Sequence, residues 1–169
     1  RKRDVYEGGH RVPFIVKWPG VTKAGTVSDA LVSQIDIMAT IADFVGYKLP
    51  DDQAEDSHNL APLLRGDVDA VRTTHIHNTT NTQYAIRHGD WVLIDAKEGY
   101  SKAHDEVEAW EEKHGYPEDD DQPAELFNLV KDIGQRNNLA AEHPERVAEL
   151  QSLLKQIHEQ GYSAPRLAK

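Results

Sequence analysis

The dipeptide Gly89-Asp90 separates two short β-rich runs, and this spacing constrains the fold more than any other feature of the chain. The runs cover residues 83–87 and 91–95. A Gly-Asp turn between two such runs is typical of a β-hairpin, so the two runs are predicted to pair in antiparallel fashion. Residues 73–77 and 125–129 have a similar composition and are predicted to be two further strands of a small antiparallel sheet.

An amphipathic helix is predicted after the fourth strand. Pro144 favours a helix start, and the following apolar residues recur at helical spacing until Gly161. They are Val147, Leu150, Leu153, Leu154 and Ile157. Residues 67–169 are therefore predicted to form a four-stranded antiparallel sheet packed by a C-terminal helix.

The first part of the chain has a different pattern. The apolar run at residues 13–18, closed by Pro19-Gly20, predicts a buried strand, and residues 28–33 predict a second extended piece. Asp36 is predicted to be the N-cap of a helix over 37–45, and a short helical turn over 60–64 is predicted to end at Gly66. We therefore expect a strand and helix portion at 1–66, a boundary near 66–72, and an α/β fold class that is α+β for this chain taken alone.

Charge and composition exclude several classes of protein. The 169 residues carry a formal net charge of −10, from 19 Lys and Arg against 29 Asp and Glu. So acidic a chain is a poor nucleic-acid binder, because binding to the phosphate backbone requires basic surface. No apolar run is long enough for a membrane-spanning helix. The absence of Cys excludes disulfides, thiolate nucleophiles and Cys-ligated zinc in this chain. Residues 98–124 are strongly acidic and are predicted to be helical in their centre.

The segment from Lys2 to Phe14 carries the most specific chemistry. The pair Gly8-Gly9 permits backbone conformations that other residues avoid. Lys2, six residues before the pair, is able to offer its ammonium group as a point charge to an oxyanion. From the spacing alone, a glycine turn before a strand with a surface lysine is the favoured interpretation.

Two histidines on a predicted strand form a second candidate. The pattern His75-x-His77 places both imidazoles on one face of a strand. Zinc prefers four ligands, and the sequence indicates no third one. We therefore predict no metal site in this chain.

Several motifs, in order, give the chain a family likeness. The run Lys2-x-x-x-Tyr6-Glu7-Gly8-Gly9-x-Arg11-Val12-Pro13 resembles the segment of type I sulfatases (arylsulfatase family, alkaline-phosphatase-like superfamily) that holds the active-site lysine. Residues 32–40, 60–66, 84–91, 125–132 and 137–140 resemble later motifs of the same family. The chain departs from the family pattern at Val92 and at Gly134-Gln135, and the acidic segment 98–124 is not matched.

The resemblance implies a sulfate ester hydrolase with an alkaline-phosphatase-like fold, whose full chain is several hundred residues long. In this family the nucleophile is a formylglycine, and Ca²⁺ or Mg²⁺ polarises the sulfate; the motifs that supply both are absent from this sequence. Lys2 alone matches a catalytic position, as a contact to a sulfate oxygen. Tyr6, Glu7, Gly8, Gly9 and Arg11 match the family's structural motif. The chain is thus expected to be the C-terminal part of such an enzyme, inactive by itself.

The resemblance also suggests substrate contacts. His10 adjoins the glycine pair, and the strand with His75 and His77 is placed to edge the substrate pocket. Local hydrogen bonding for His10, and a plain sheet surface for the other two, are the alternatives.

Two other functions stay open at this stage. One is a phosphonate or phosphodiester hydrolase of the same superfamily, and the other is a non-catalytic binding or assembly module. A sulfatase would be compatible with a periplasmic or secreted location. Because the strand at 13–18 would lack neighbours in a severed chain, its exposed edge is expected to cause self-association.

Overall fold

The computed structural model of the chain describes residues 4–80, 83–97, 99, 109–110, 112–115 and 122–165. It divides into two compact units, each assembled from two stretches of sequence. The first unit contains Arg1–Val12 and Ile76–Lys155, and the second contains Pro13–His75 and Gln156–Lys169. The chain passes from the second unit to the first between residues 75 and 76, shortly after the boundary expected near 66–72. The N-terminal motif therefore belongs to the same unit as most of the sheet.

Four strands form one sheet in the order β1-β2-β3-β4. The pairs β2–β3 and β3–β4 are antiparallel, with Leu93 opposite both Ile86 and Leu126. Gly89 has φ +59 in the turn between β2 and β3, a conformation that favours glycine. The predicted hairpin and the predicted small antiparallel sheet are confirmed. The strands are β1 (Thr74–Thr80), β2 (Gln83–His88), β3 (Trp91–Ile94) and β4 (Glu125–Asn128).

Both faces of this sheet are buried: Ile86, Leu93 and Leu126 are fully buried on one face, and a hydrophobic cluster lies on the other. Alternate residues of a strand face the same side, which is why Val92 and Ile94 of β3 are buried together. Val5, from the N-terminal motif, is 1% exposed and belongs to the same cluster. Burial of an aliphatic side chain of this size stabilises a fold by about 1.5–3 kcal/mol. The cluster consists of Val5, Ala85, Val92, Ile94, Phe127 and Leu129.

The predicted C-terminal helix is confirmed as a helix over Pro144–Gln160, here called α4. Leu150 and Leu154, one turn apart, are buried. Gln151 donates a 2.8 Å hydrogen bond to the Asp95 carboxylate, immediately after β3. Gly161, with φ +76, ends the helix. The contact between Gln151 and Asp95 lies within the first unit, to which the helix belongs as far as Lys155, whereas its last residues belong to the second unit.

The second unit contains two short helices. They are α2 (Asp36–Phe44) and α3 (Ala61–Arg65), and a four-residue helix, α1 (Glu7–His10), belongs to the first unit. Gly66, with φ +83, caps α3 in the left-handed conformation, as predicted. Asp36 is the first residue of α2 and not its N-cap, which is Ile35. The N-cap prediction was wrong because the Asp36 carboxylate is engaged by residues outside the helix.

The prediction of a buried strand at 13–18 was also wrong. Residues 11–18 have no strand pairing in the structure, and Ile15 is 91% exposed. An apolar run forms a strand only when another strand supplies hydrogen bonds, and none of the described strands pairs with this run. Residues 28–33, predicted to be extended, likewise form no strand.

The acidic segment 98–124 lies largely outside the described residues, so its predicted central helix is not addressed by the structure. Within the part of the chain that is described, no helix has the length and apolar character needed to cross a membrane.

Candidate functional site

The motif that carries the predicted lysine forms the start of the first unit. Lys2 itself lies outside the described residues, and the described motif begins at Asp4. Asp4 and Val5 are buried, at 4% and 1% exposure. The Val5 amide donates a 2.9 Å hydrogen bond to the Gly99 carbonyl. The backbone three residues after Lys2 is therefore fixed in the interior.

Tyr6 connects the motif to strand β4. Its hydroxyl group donates to the Glu125 carboxylate, at 2.7 Å and 2.9 Å from the two oxygens. The same hydroxyl accepts a 3.1 Å hydrogen bond from the Gly99 amide. A Cβ atom added to Gly99 would lie 2.9 Å from the Tyr6 ring and from the Val5 side chain. Glycine at position 99 is therefore required for this close approach.

Glu7 is the charged centre of the motif. Its carboxylate lies 3.1 Å from the Arg11 guanidinium and 3.5 Å from His10 Nε2. Burial raises the pKa of the Glu7 carboxyl, but the hydrogen bond and charge of His10 and the charges of Arg87 and Arg11 outweigh it, so the pKa is lowered. Glu7 is thus held as a carboxylate that orders the two basic residues following it.

Gly8 and Gly9 occupy the short helix α1. Neither is among the glycines with positive φ, so the conformations that only glycine adopts readily are not used at this pair. The turn is closed by the Arg11 amide, which donates to the Glu7 carbonyl at 2.9 Å. Its start is fixed by the Glu7 amide, which donates to Gln135 Oε1 at 2.6 Å. A single helical turn with both ends held is compatible with ordinary φ values.

His10 and His77 come together next to this turn. Their rings lie 3.9 Å apart between centroids, tilted by 37°. His77 Nε2 lies 2.8 Å from the Val5 carbonyl oxygen, which can only accept, so Nε2 carries the proton. Burial and the neighbouring charge of His10 lower the pKa of His77 from its ordinary value of 6.5 to about 4. His77 is therefore a neutral imidazole at physiological pH.

His75 has different surroundings from His77, although both are on β1. Its Nδ1 atom lies 3.1 Å from Nη1 of Arg72, in the second unit. Arg72 is buried and forms an ion pair with Asp36, which is fully buried. The Asp36 carboxylate also accepts hydrogen bonds from the amides of Ser33 and His58. The structure thus groups His10 and His77 with the motif and places His75 in a separate buried network.

The metal-binding capacity of the described residues is limited. They contain no group of three or more His, Cys, Asp or Glu side chains able to hold an ion. His10, His77 and Glu7 are close, yet His77 Nε2 and the Glu7 carboxylate already have partners within the motif. The side chains in this part of the chain do not fit a Ca²⁺ or Mg²⁺ site, which needs several oxygen ligands.

Three residues that hold the motif were missed at the sequence level: Gly99, Glu125 and Gln135. They are separated from their partners by 93, 119 and 128 positions, so no local pattern connects them. Gln135 did carry a signal, since the pair Gly134-Gln135 interrupts the family pattern. In the structure Gln135 is buried and has φ +51, unusual for a residue other than glycine.

Comparison with known proteins gives a consistent picture. The sequence profile of the family described as N-sulphoglucosamine sulphohydrolase, C-terminal, matches residues 1–160. An N-acetylgalactosamine-6-O-sulfatase of Bacteroides thetaiotaomicron is 34% identical over 156 residues, which cover 92% of this chain and 29% of the relative. Human steryl-sulfatase is 45% identical over 65 residues, covering 38% of this chain and 11% of its own.

Solved structures agree with the sequence matches. One, from work on the metabolism of multiple glycosaminoglycans by Bacteroides thetaiotaomicron, has a TM-score of 0.71 and 32% identity, and the match covers 92% of this chain and 31% of that one. Another, solved in complex with its substrate D-glucosamine-2-N,6-O-disulfate, has a TM-score of 0.60 and 22% identity, with 86% and 28% coverage. The chain thus spans less than a third of the length of these relatives.

Proposed function

The chain belongs to the family of C-terminal regions of N-sulphoglucosamine sulphohydrolases, and from that premise we propose that it forms the C-terminal part of an enzyme that hydrolyses sulfate esters. The observation that carries this proposal is the family match over residues 1–160, which includes the lysine-bearing motif. Its relatives named above are sulfatases.

The substrate we propose is a sulfated amino sugar, with the ester on a 6-hydroxyl group. The N-acetylgalactosamine-6-O-sulfatase aligns over 92% of the chain, whereas the steryl-sulfatase aligns over 38%. The more extensive match therefore favours a carbohydrate over a steroid or a simple aryl group.

Lys2 is the residue to which we assign contact with a sulfate oxygen. Its positive charge would oppose the negative charge that builds on the sulfate during ester cleavage. The contacts of Val5, Tyr6 and Glu7 support this role, because they fix the backbone that follows Lys2. A lysine that starts from a fixed backbone is positioned with less loss of conformational entropy on substrate binding.

His10 is proposed to contact the substrate beside Lys2. Its side chain is 30% exposed, and the ring is oriented by its Nδ1 contact with the Tyr6 carbonyl, at 2.9 Å. It is thus both ordered and accessible. His75 stays a predicted substrate contact.

The nucleophile and the divalent ion are proposed to come from other parts of the enzyme. The chain contains no Cys, and its described residues do not fit a Ca²⁺ or Mg²⁺ site. Formylglycine and the metal are therefore expected outside these residues, and the 169-residue chain alone is expected to release no sulfate.

The test is an assay of the purified enzyme that carries this chain, with N-acetylgalactosamine 6-sulfate and the matching 6-phosphate as substrates. We expect release of sulfate and no release of phosphate. Preferential hydrolysis of the phosphate or of a phosphodiester would replace this function by the phosphoryl-transfer alternative. Sulfate release by the 169-residue chain alone would contradict the assignment of the nucleophile to another part.

We also propose that the isolated chain self-associates through the second unit. Helix α2 exposes Met38, Ile41 and Phe44 at 61%, 54% and 63%. An apolar surface of this kind favours association, and in a solution of this chain alone a second copy is able to cover it. Sedimentation velocity at low and high micromolar concentrations should show a dimer or larger species that dissociates on dilution, and a monomer at every concentration would contradict it.

A further inference from the structure

His77 was expected to be a substrate contact, but its Nε2 atom and one side of its ring contact residues of the motif. A neutral imidazole has a single N–H donor, and in His77 this donor is at Nε2. It is directed to the Val5 carbonyl oxygen, 2.8 Å away. One side of the ring is covered by His10 at 3.9 Å. The group that would recognise a substrate oxygen is therefore already used.

Val5, whose carbonyl accepts the hydrogen bond from His77, is a fixed point of the motif. Val5 is three residues after Lys2, its side chain is in the core, and its amide is bound to Gly99. Strand β1 thus reaches the Val5 carbonyl through the His77 side chain. Together with the bond from the Val5 amide to Gly99, this hydrogen bond fixes both peptide groups that flank Val5, so the chain that leads back to Lys2 starts from a fixed residue.

We propose that His77 is a positioning residue for Lys2: by donating its Nε2 proton to the Val5 carbonyl, it sets the backbone from which the lysine reaches the sulfate. This inference rests on the proposed function, because it concerns the same lysine. His77 touches neither the sulfate nor the reacting atoms in this account. It acts on every sulfate ester that the enzyme accepts, whatever the rest of the substrate.

Two variants separate the hydrogen bond from the packing of the ring. His77→Phe keeps an aromatic ring beside His10 but has no proton to donate, whereas His77→Gln keeps an N–H donor of similar reach. In the enzyme that carries this chain, His77→Phe should lower kcat/KM roughly 10- to 100-fold, as misplacement of a catalytic group does. His77→Gln should recover most of the loss. His88→Phe, on the neighbouring strand β2, is the matched control and should stay near the wild type.

A double-mutant cycle with Lys2→Ala distinguishes positioning from a merely structural role. If His77 acts through Lys2, His77→Phe should have less than about a twofold effect in an enzyme that already carries Lys2→Ala. Its effect in the wild-type background should be equal for an aryl sulfate and a sugar sulfate. Additive losses, a loss confined to the sugar substrate, or a Gln variant no better than Phe would overturn the inference.

A measurement on the ring itself does not depend on activity. Nitrogen-15 NMR of the histidines should show His77 protonated at Nε2 and neutral down to about pH 4. A ring protonated at Nδ1 alone would remove the donor and overturn the inference even if the enzyme is active. If the wild-type enzyme releases no sulfate from any ester, the proposed function fails and the positioning of Lys2 fails with it. If it is active and the cycle is additive, only the positioning fails.

Discussion

The two units differ in how far their own residues supply hydrogen bonds and bury apolar side chains. In the first unit the N-terminal motif is held by side chains from distant parts of the sequence, and its apolar residue Val5 is buried in the core. In the second unit the apolar run 13–18 is not part of any strand, and Ile15 is 91% exposed. The exposed face of α2 adds to this apolar surface.

The difference identifies the exposed apolar face of the second unit as the surface that we propose binds a second copy. In the first unit, contacts with Gly99, Glu125 and Gln135 hold the motif in place. The second unit is not unstructured, because Asp36 and Arg72 form a fully buried ion pair within it. Its helices are therefore ordered while their outward face stays apolar, which is the property expected of an interaction surface.

Removal of the charge at Lys2 should have the largest effect on activity, because Lys2 is the residue that we propose contacts the sulfate. In the enzyme that carries this chain, Lys2→Ala should lower kcat/KM by roughly two to four orders of magnitude. Lys2→Arg should rescue poorly, since a planar guanidinium does not replace a compact ammonium. Lys17→Ala is the control, as Lys17 is exposed in the second unit. Near-wild-type kinetics for Lys2→Ala would remove Lys2 from the site.

Breaking the buried ion pair should destabilise the second unit. Arg72→Met leaves the Asp36 carboxylate buried without its cation, and the free energy of unfolding should fall by about 3–5 kcal/mol. The matched control is Arg65→Met, because the Arg65–Asp67 pair is about half exposed and should contribute less than about 1 kcal/mol. Urea unfolding measures both, and equal losses would show that burial of the pair is not what orders this unit.

Acidification should weaken the first unit through His77. Because the pKa of His77 is lowered to about 4, the unfolded chain binds a proton at pH values where the folded chain does not. Stability contributed by the neutral ring should therefore be complete above pH 6.5 and decline as the pH falls towards 4, by up to about 3 kcal/mol.

Urea unfolding of the wild type and His77→Phe between pH 7 and pH 4 checks this window. The variant should lose part of the pH dependence and keep the part due to His58, whose pKa is lowered by burial and by Arg72. An unchanged slope in the variant would contradict the assignment to His77.

The smallest effect concerns the apolar face of α2. Met38→Lys should weaken self-association of the isolated chain about tenfold, because burial of a methionine side chain contributes roughly 1.5–3 kcal/mol and part of it is retained by the lysine stem. Val130→Lys is the control, since Val130 is 75% exposed in the first unit. If both variants dissociate equally, the contact does not involve α2.

The fold was predictable from the sequence where the residues that determine an element lie close together in the chain. The hairpin at Gly89, the end of α3 at Gly66 and the helix after Pro144 are all determined by residues a few positions apart, and all were confirmed. The run 13–18 failed because an apolar pattern indicates that a segment is able to form a strand, but not whether another strand is available to pair with it.

The candidate site was predictable in part. The motif from Tyr6 to Arg11 was recognisable from its residues, and the structure shows it as an ordered turn. What holds it was not predictable, because Glu125 and Gln135 are more than a hundred positions away from their partners. For His77, spacing on a strand indicated that it shares a face with His75, but the identity of its hydrogen-bond partner depends on tertiary structure.

Amide hydrogen exchange of the isolated chain at two concentrations tests the central claim most directly. The amides of Val5, Glu7 and Arg11 are hydrogen-bonded within the first unit, so they should be protected to the same extent at low and high concentration. The amides of residues 14–16 should exchange rapidly at low concentration and become protected only as copies associate. Rapid exchange at Val5 and Glu7, or protection of residues 14–16 in the monomer, would contradict the account that one unit completes its motif alone and the other requires a partner.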